Sequence, residues 1–509
     1  MTVMSQEATA DLVLRKGTRE QFERLRRLLE DVGYTTALVN ERRGMLAFDG
    51  EPPQSPVSPT SALDVLVFLF LDGTPVASPI VFEHLPSELL ELLRVFGLLQ
   101  YDQHDGTTCS APLALYPTGG VYVVSDHRTR AIGREDEPMK DLVYPALSTN
   151  TAEFLILLPT KPCESLLDLG AGSGVAALIG AANYAGHAWA ADVTARATRV
   201  AEFNVELNGL SNVTVLHGDL YEPLSGRRFE RIVSHPPYMP ANENGLIFRD
   251  GGEDGEELIR RIIAGLPDHL RPGGRFYCRC MATDRKNAPL ERRVRDLLGE
   301  TRDEFDVLVI TKLTFPIGPY LCNSLVAGTM AASEYAHLLR MYRHHEAENV
   351  VIGFVVIERH AAPRPPITAR RPLPSGADPD STAIDWLHER ERAVYDPAVR
   401  QALYATRPYV SVHASIEMTH RVHEGTLRAD ACAVTSRFPF GFRMEAPPGV
   451  AMLLGHCDGN RTVAELEARM RDVGVIGSDT STEEFIRIVQ ILVGGGVLES
   501  VEFPLPARA

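Results

Sequence analysis

The segment most informative about the architecture of this chain is Leu166-Leu167-Asp168-Leu169-Gly170-Ala171-Gly172-Ser173-Gly174. Its apolar start predicts a buried strand, and the glycines at alternate positions predict a tight turn into a helix that begins near Val175. Glycine has no Cβ, so it suits a tight turn or a ligand that lies against the backbone. A strand, a glycine turn and a helix N-terminus together form a nucleotide-binding crevice at the carboxyl end of a parallel strand.

The spacing of these glycines is G-x-G-x-G, which differs from the G-x-G-x-x-G of dinucleotide-binding folds. An acidic residue, Asp168, precedes the first glycine. Taken alone, such a triplet is also typical of ordinary loops, so the interpretation depends on the segments that follow it.

Those later segments occur in a supporting order. A second predicted strand ends at Asp192, about 20 residues past the glycine turn, where nucleotide-binding folds place a ribose-binding acid. A third predicted strand ends at Asp219. A fourth, which begins at Arg231, leads into the run His235-Pro236-Pro237-Tyr238.

This order resembles that of class I S-adenosylmethionine-dependent methyltransferases, and residues 248–255 are similar to the segment after the catalytic loop in release-factor glutamine methyltransferases. The resemblance covers roughly residues 145–360. It implies an α/β fold with a Rossmann-like sheet and S-adenosyl-L-methionine as the cofactor.

The resemblance also implies a role for each residue of the turn and the strand ends. The cofactor's amino-acid end would lie on Gly170, Gly172 and Gly174, with Asp168 near its ammonium group. Asp192 would accept hydrogen bonds from both ribose hydroxyls. Asp219 would accept from the adenine amino group, with Leu220 packed near the ring. Each acid taken singly could instead cap a helix or lie in a solvated turn.

The run His235-Pro236-Pro237-Tyr238 indicates the class of methyl acceptor. Two prolines fix φ and remove backbone donors, so carbonyl oxygens can be aimed at a substrate N–H, and Tyr238 offers an aromatic face for a planar group. The family usually carries Asn or Asp where this chain has His235. An imidazole has its donor and acceptor on opposite ring edges, so it cannot imitate the side-by-side pairing of an amide.

This departure argues against a glutamine side chain as the acceptor and permits a different amide, an amine or an oxygen acceptor. His235 could orient the acceptor or act as a general base; the alternative is that it only fills space beside the main-chain carbonyls. One of residues 148–151 could touch cofactor or substrate, or these residues could only cap a helix. Tyr320, His344 and His345 could also reach the site.

Composition limits the function classes. The chain of 509 residues carries 51 Lys and Arg against 67 Asp and Glu, a net charge of -16, which is a poor match to nucleic acid. Its seven cysteines show no C-x-x-C pair, so no structural zinc or other metal is expected. No signal peptide is visible and the apolar runs are too short to span a bilayer, which predicts a cytoplasmic protein without a membrane partner.

Changes in composition predict three domains. An N-terminal α+β or winged-helix-like domain would span 1–143, either as one wall of the active site or as a peptide- or RNA-recognition unit. The methyltransferase domain would span 144–360, with an insertion at 314–349 that is either a substrate lid or a surface helix. A linker rich in proline and arginine would follow at 361–384. A C-terminal winged-helix-like domain, 385–509, weakly resembles PqqD-like peptide-binding domains.

The leading hypothesis is therefore a methyltransferase that acts on nitrogen in a peptide, a protein or a specialised metabolite. The alternatives are an RNA-base N-methyltransferase and a non-catalytic cofactor-binding scaffold that recognises a partner. The sequence does not give the acceptor or the oligomeric state.

Overall fold

The computed structural model describes residues 13–43, 58–102, 106–127, 139–241, 245–374, 381–393, 397–477 and 479–506. In chain order its strands are β1 Val76–Ala77, β2 Gln100–Tyr101, β3 Thr108–Ser110, β4 Ala114–Thr118, β5 Val121–Ser125, β6 Cys163–Leu169, β7 Ala185–Asp192, β8 Val213–His217, β9 Phe229–Ser234, β10 Leu270–Arg285, β11 Phe305–Pro316, β12 Ala347–Arg359, β13 Thr368–Pro372, β14 Tyr409–Val410, β15 Ala414–His423, β16 Thr426–Ser436, β17 Phe442–Ala446 and β18 Leu498–Glu499.

The helices, in the same order, are α1 Arg19–Asp31, α2 Thr36–Arg43, α3 Ala62–Phe70, α4 Ser78–His84, α5 Ser87–Val95, α6 Thr149–Leu157, α7 Val175–Asn183, α8 Ala195–Asn208, α9 Glu257–His269, α10 Leu290–Leu297, α11 Ile317–Val326, α12 Ala332–His344, α13 Ser381–Ala393, α14 Pro397–Ala405, α15 Pro448–His456, α16 Val463–Asp472 and α17 Thr482–Gly494. Short 3-10 helices lie at Glu222–Leu224 and Gly299–Glu304. In these described residues no helix has both the length and the apolar character needed to cross a membrane.

An eight-stranded sheet lies at the centre, in the order β13-β11-β12-β10-β9-β6-β7-β8. Strands β8, β7, β6, β9 and β10 run parallel to one another, and β12 is antiparallel to both β10 and β11. The strand order reverses between β6 and β9, and ligands bind outside the carboxyl ends of the strands at such a point. The predicted α/β fold with a Rossmann-like sheet is confirmed.

The parallel strands are apolar because helices cover both of their faces. Along β6 every residue except Glu164 is buried. Leu166 lies in the core on one face of the sheet and Leu167 in the core on the other, as the alternation of a strand requires. The sheet is therefore a rigid platform for the loops at its carboxyl edge.

The N-terminal region combines helices α1 to α5 with a small sheet of order β1-β3-β2 and the hairpin β4–β5. A capping box opens α1, since the Thr18 hydroxyl accepts from the backbone N–H of Gln21 and the Gln21 side chain accepts from the backbone N–H of Thr18. Phe203 and Leu207, from α8, belong to the same buried cluster as the N-terminal helices. The N-terminal region thus shares its core with a helix of the central domain.

Two asparagines of α8 fasten the hairpin to the central domain. Asn208 accepts from the backbone of Tyr122 at 2.8 Å and donates to its carbonyl at 2.6 Å. Asn204 pairs in the same way with Val124, at 2.8 and 3.0 Å. Because both backbone groups of each partner residue are satisfied, α8 takes the place of a neighbouring strand.

The segment predicted as a linker, 361–384, contains strand β13, and this part of the prediction is wrong. Strand β13 pairs in parallel with β11 at the edge of the central sheet. Its arginines suggested a solvated segment, yet Arg370 contacts Asp284 at 2.6 Å and Glu291 at 2.7 Å. Ion pairs with the central domain, combined with the buried Ala369, explain why a charged segment forms a strand here.

Helix α13, which follows, crosses the predicted start of the C-terminal domain at residue 385. Ile384, Trp386 and Leu387 are buried in the same cluster as Leu308 and Phe354 of the central sheet. This helix is therefore part of the cover of the sheet, and a boundary at 385 would cut through it.

A buried carboxylate anchors α13 to the sheet. Asp306, on β11, accepts hydrogen bonds from His388 at 2.6 Å, from His360 at 2.9 Å and from both terminal nitrogens of Arg364 at 2.9 and 2.5 Å. Burial alone would raise the pKa of Asp306, but the hydrogen bonds from His388 and Arg364 hold it well below its usual range.

Asp306, Glu358 and His388 bring atoms of the metal-ligand type within 4.8 Å of one another. Arg364 already contacts both carboxylates, and Arg392 contacts Glu358. The cluster is thus a buried ion-pair network.

The C-terminal region contains the sheet β15-β16-β17, the pair β14-β18 and helices α15 to α17 around one buried cluster. Capping boxes at Thr462 and Ser481 open α16 and α17. These elements are compatible with a winged-helix arrangement, which stays a prediction, as does the likeness to PqqD-like domains.

Candidate active site

A cavity of about 360 Å³ opens at the carboxyl ends of β6, β7 and β9, where the strand order reverses. Its size is within the range of small-molecule sites. Predicted site residues supply much of its lining, namely Gly170, Gly172, Asp192, Asp219, Leu220, His235, Pro236, Pro237 and Tyr238. The structure therefore brings the predicted cofactor residues and the predicted catalytic loop into one pocket.

The glycine turn is shaped for a ligand. Gly170 and Gly172 adopt left-handed φ angles of 68° and 55°, a region that residues with a Cβ rarely occupy. A Cβ built on either residue would meet no protein atom within 4 Å. Backbone strain and open space coincide at these two glycines, which fits a ligand that lies directly on the main chain.

Asp192 ends strand β7 and holds the turn from the side. Its Oδ2 accepts from the backbone of Gly172 at 2.8 Å, and its Oδ1 accepts from the backbone and hydroxyl of Thr194 at 2.9 and 3.1 Å. A carboxylate has about four acceptor sites, so about one remains for a ligand. Accepting from both ribose hydroxyls would require the Thr194 hydroxyl to turn away.

Asp219 and Leu220 lie across the cavity, after β8. The Asp219 carboxylate forms an ion pair of 2.7 Å with Arg261, and both side chains are about half exposed. Leu220 adopts a left-handed φ of 50° without being glycine, which is uncommon and marks a constrained position. Both residues line the cavity, and their contacts with adenine stay a prediction.

Asp168 and Gly174 do not line the cavity. The side chain of Asp168 is buried behind the turn, where it accepts from the backbone of Ala177 at 3.3 Å. Burial raises the pKa of Asp168 to about 7, and nearby Asp192 adds to this rise. Gly174 instead packs against Ala201 of α8.

All four residues of the predicted catalytic loop, 235–238, line the cavity. Ser234 donates to the carbonyl of Leu169 at 2.8 Å and fixes the start of the loop against β6. The segment after the loop folds back onto it, since Met239 and Gly251 are joined by a backbone hydrogen bond of 2.8 Å. The loop is thus held from two sides.

His235 is half buried between Phe154 and Tyr238, with ring centroids 5.5 and 5.9 Å away. Burial and, to a smaller extent, the positive charge of Arg279 lower the pKa of His235 to about 3. The imidazole is therefore neutral at neutral pH.

A buried network behind Tyr238 was missed by the sequence interpretation. Arg279, on β10, donates to the Tyr238 hydroxyl at 2.7 Å, to Asn150 Oδ1 at 2.6 Å and to Glu153 at 3.2 Å. Lys312 also pairs with Glu153. The available signal was a charged residue between two buried cysteines of one strand, since charged residues are rarely buried without a partner.

Of residues 148–151, Asn150 lines the cavity, whereas Ser148 caps α6 by accepting from the backbone of Thr151. The outer wall of the cavity includes Tyr144 and Phe248, whose rings stack at 5.2 Å. This side of the cavity is therefore mainly aromatic and apolar.

The insertion residues Tyr320, His344 and His345 are absent from the lining that the described residues form. Tyr320 packs on Phe315 at 4.8 Å, and the two histidines contact each other at 5.1 Å. The prediction that these three side chains could reach the pocket is not confirmed.

Comparison with known proteins identifies the family of this chain. The family model "Methyltransferase small domain" matches residues 146–307. The release factor glutamine methyltransferase of Gloeobacter violaceus is 37% identical over 149 residues, which are 26% of this chain and 52% of that protein. The ribosomal protein uL3 glutamine methyltransferase of Bordetella pertussis is 26% identical over 277 residues, 51% of this chain and 85% of that protein.

A third relative is a putative protein N5-glutamine methyltransferase of Methanocaldococcus jannaschii, which is 32% identical over 149 residues, 28% of this chain and 75% of that protein. The chain spans about half the length of the first curated relatives it matches, 52% and 43%. The chain belongs to the class I S-adenosylmethionine-dependent methyltransferases, in the small-methyltransferase branch of these relatives.

Proposed function

We propose that this protein transfers the methyl group of S-adenosyl-L-methionine to a nitrogen atom of a peptide or protein. The observation that carries the proposal is the shared cavity, in which the glycine turn and the acids Asp192 and Asp219 face the loop 235–238. The names of the relatives, which are protein glutamine methyltransferases, support a protein acceptor. The net charge of -16 argues against a nucleic-acid acceptor.

The residues present fit the cofactor. Gly170 and Gly172 leave open space over the main chain, and Asp192 and Asp219 present carboxylate oxygens on the same cavity. Asp168 is a buried carboxyl group that has no cationic side chain against it in the described part of the chain. An ammonium group brought near this carboxyl would favour its ionised form.

When bound, S-adenosyl-L-methionine supplies an electrophilic methyl group on a positively charged sulfur. The remaining task of the protein is to place the lone pair of the acceptor nitrogen in line with that methyl group and to exclude water. The rings of His235, Tyr238, Tyr144 and Phe248 give the cavity an apolar side for this purpose. A neutral His235 adds no second positive charge beside the cationic sulfur.

The two prolines restrict the loop that carries the acceptor site. Pro236 and Pro237 cannot donate backbone hydrogen bonds, so a substrate N–H meets acceptors and no competing donors there. A Cβ on Gly251 would lie 2.9 Å from the carbonyl oxygen of Pro237. Gly251 therefore allows the following segment to approach the loop closely.

Calorimetric titration with S-adenosyl-L-methionine and S-adenosylhomocysteine is the first test, followed by a labelled-methyl screen of peptides, RNA and metabolite extracts. Micromolar binding and label in the peptide fraction are expected. Label in RNA would instead support an RNA-base methyltransferase, and binding without turnover on any fraction would support a non-catalytic scaffold. Absence of binding to either ligand would refute the proposal.

A further inference from the structure

The hydroxyl group of Tyr238 is held by two hydrogen-bond donors. Arg279 Nη1 lies 2.7 Å from the hydroxyl oxygen, and Asn150 Nδ2 lies 3.1 Å from it. Arg279 is 4% exposed, and its remaining nitrogens contact Asn150 and Glu153. The guanidinium is therefore fixed on three partners at once.

The orientation of the Asn150 amide follows from this arrangement. Arg279 Nη2 lies 2.6 Å from Asn150 Oδ1, and a guanidinium can only donate hydrogen bonds. The oxygen of the amide must therefore face Arg279, and its NH₂ group must face Tyr238. The network itself determines this assignment, as amide orientations require.

Tyr238 consequently accepts two hydrogen bonds. A hydroxyl group has two acceptor lone pairs and one donor proton, so both lone pairs are in use and the proton points elsewhere. In the described part of the chain no acceptor contacts this proton, and Tyr238 lines the cavity. The hydroxyl therefore keeps one donor proton that no described residue accepts, on a side chain that lines the cavity.

The guanidinium of Arg279 strengthens this donor. Arg279 pairs with Glu153 and donates directly to the phenol oxygen, so its positive charge lies beside the phenol. Burial raises the pKa of Tyr238 and the charge of Arg279 opposes that rise, and a hydrogen bond donated beside a cation to a partly negative oxygen is stronger. A ligand with a partly negative oxygen is favoured at this place.

His235 offers the complementary group. It lines the same cavity, its ring is 5.9 Å from that of Tyr238 with the planes 24° apart, and no hydrogen bond to its nitrogens is found among the described residues. A neutral imidazole has one unprotonated nitrogen that accepts a hydrogen bond.

We propose that Tyr238 is a specificity-determining residue whose hydroxyl donates to an oxygen of the methyl acceptor while His235 accepts from the neighbouring N–H. Two side chains would then provide the donor and the acceptor that one Asn carboxamide provides where the family carries Asn. The group that fits the pair is planar and presents N–H beside C=O. This inference rests on the proposed function and assigns Arg279 and Asn150 as positioning residues.

The chemical step balances with these residues. The bond from the methyl carbon to sulfur breaks with its electron pair left on sulfur, and the acceptor nitrogen forms the new bond to carbon with its lone pair. His235 takes the proton that leaves this nitrogen and passes it to water. An amide nitrogen that has gained a methyl group is a strong acid, so a weakly basic imidazole suffices.

The test uses degenerate peptide pools with a fixed central Gln, Glu or Lys and labelled S-adenosyl-L-methionine, at peptide concentrations below saturation. We expect the wild-type protein to label the Gln pool at least about 10-fold faster than the other two pools. Tyr238→Phe should slow labelling of the Gln pool by about 5- to 150-fold, the effect of an unpaired polar group in a site. Tyr335→Phe, on α12, is the matched control.

Asn150→Asp separates the donor role from a structural one. The carboxylate would accept the Tyr238 proton and turn it away from the cavity, so the hydroxyl remains but should no longer serve the substrate. We expect a loss similar to that of Tyr238→Phe. S-adenosylhomocysteine affinity, measured by calorimetry, should change by less than about twofold in both variants.

A double-mutant cycle with His235→Asn gives the decisive comparison. The Asn carboxamide supplies its own donor, so Tyr238→Phe should cost less than about threefold in the His235→Asn background. An equal cost in both backgrounds, or equal labelling of the Gln and Glu pools, would overturn the pairing of Tyr238 with His235. If no pool is labelled and S-adenosylhomocysteine does not bind the wild-type protein, the proposed function itself fails.

Discussion

Replacing Asp192 with alanine tests the cofactor assignment at the point where the structure makes it most specific. The carboxylate receives three hydrogen bonds, from Gly172 and from the backbone and hydroxyl of Thr194, at 2.8 to 3.1 Å. It faces the cavity with about one acceptor site still free. Asp192→Ala removes both the ligand's acceptor and the support of the glycine turn.

The magnitude follows from the charge of the group. A hydrogen bond to a charged side chain contributes about 1.5–3 kcal/mol, and 1.4 kcal/mol corresponds to a tenfold change in affinity. Loss of one hydroxyl contact to Asp192 should therefore weaken S-adenosylhomocysteine binding by about 10- to 150-fold. Disorder of the turn would increase the loss further.

Calorimetric titration of the variant measures this change, and thermal unfolding without ligand shows whether the fold is retained. Asp268→Ala, an exposed position near the end of α9, is the matched control and should bind as the wild type does. Unchanged affinity in a folded Asp192→Ala protein would refute the ribose assignment and with it the geometric reasoning about this edge of the sheet.

Three further changes test separate parts of the structure. Gly172→Val places a β-branched side chain at a left-handed φ and in the ligand's space, so S-adenosylhomocysteine affinity should fall at least about 100-fold; Gly226→Val, also at a left-handed φ with open space around it, should retain binding. The raised pKa of Asp168 favours its protonated form in the fold, so the stability it contributes is present below about pH 4 and lost by about pH 7; between urea unfolding at pH 5 and at pH 8, Asp168→Asn should gain up to about 3 kcal/mol in stability relative to the wild type, and a difference that does not vary with pH would contradict the assignment. The lowered pKa of Asp306 has the opposite sign, since its stabilisation is present above about pH 4 and lost as the pH falls; Asp306→Asn should cost about 3–5 kcal/mol in urea unfolding at pH 7, and a cost below about 1 kcal/mol would show that the network is not needed.

The cofactor side of the pocket could be predicted because its signals are local. Glycines at alternate positions, and acids at the ends of two predicted strands, follow from the geometry of one strand and the turn after it. Asp192 and Asp219 line the pocket as expected. Asp168 does not, because its position at the end of the strand turns its side chain into the core, which spacing alone does not reveal.

The acceptor side could be predicted only in part, because its partners come from distant segments. The loop residues His235 and Tyr238 were identifiable from the paired prolines between them. Arg279 and Glu153 were not, because they are 126 positions apart in sequence. Whether these two residues form an ion pair depends on the order of the strands in the sheet. The sequence pattern of β10 predicts only that successive side chains lie on opposite faces.

The linker prediction failed for a different physical reason. Proline and arginine are typical of solvated segments, and residues 361–374 contain both. Arg364 and Arg370 each form an ion pair with a buried carboxylate on another strand. Composition indicates only the conformation that a segment favours when it is isolated. Here the carboxylates near the sheet edge form ion pairs with the arginines, and these contacts favour the strand.

Strand β13 and helix α13 also determine how the chain could be divided. Without β13, strand β11 would present its unpaired backbone groups at the open edge of the sheet, a surface prone to pair with other chains. Without α13, the apolar cover that Ile384 and Trp386 provide would be lost. A methyltransferase fragment that ends at residue 360 is therefore expected to aggregate, and any exchange of the C-terminal region between relatives should be made after Ala393.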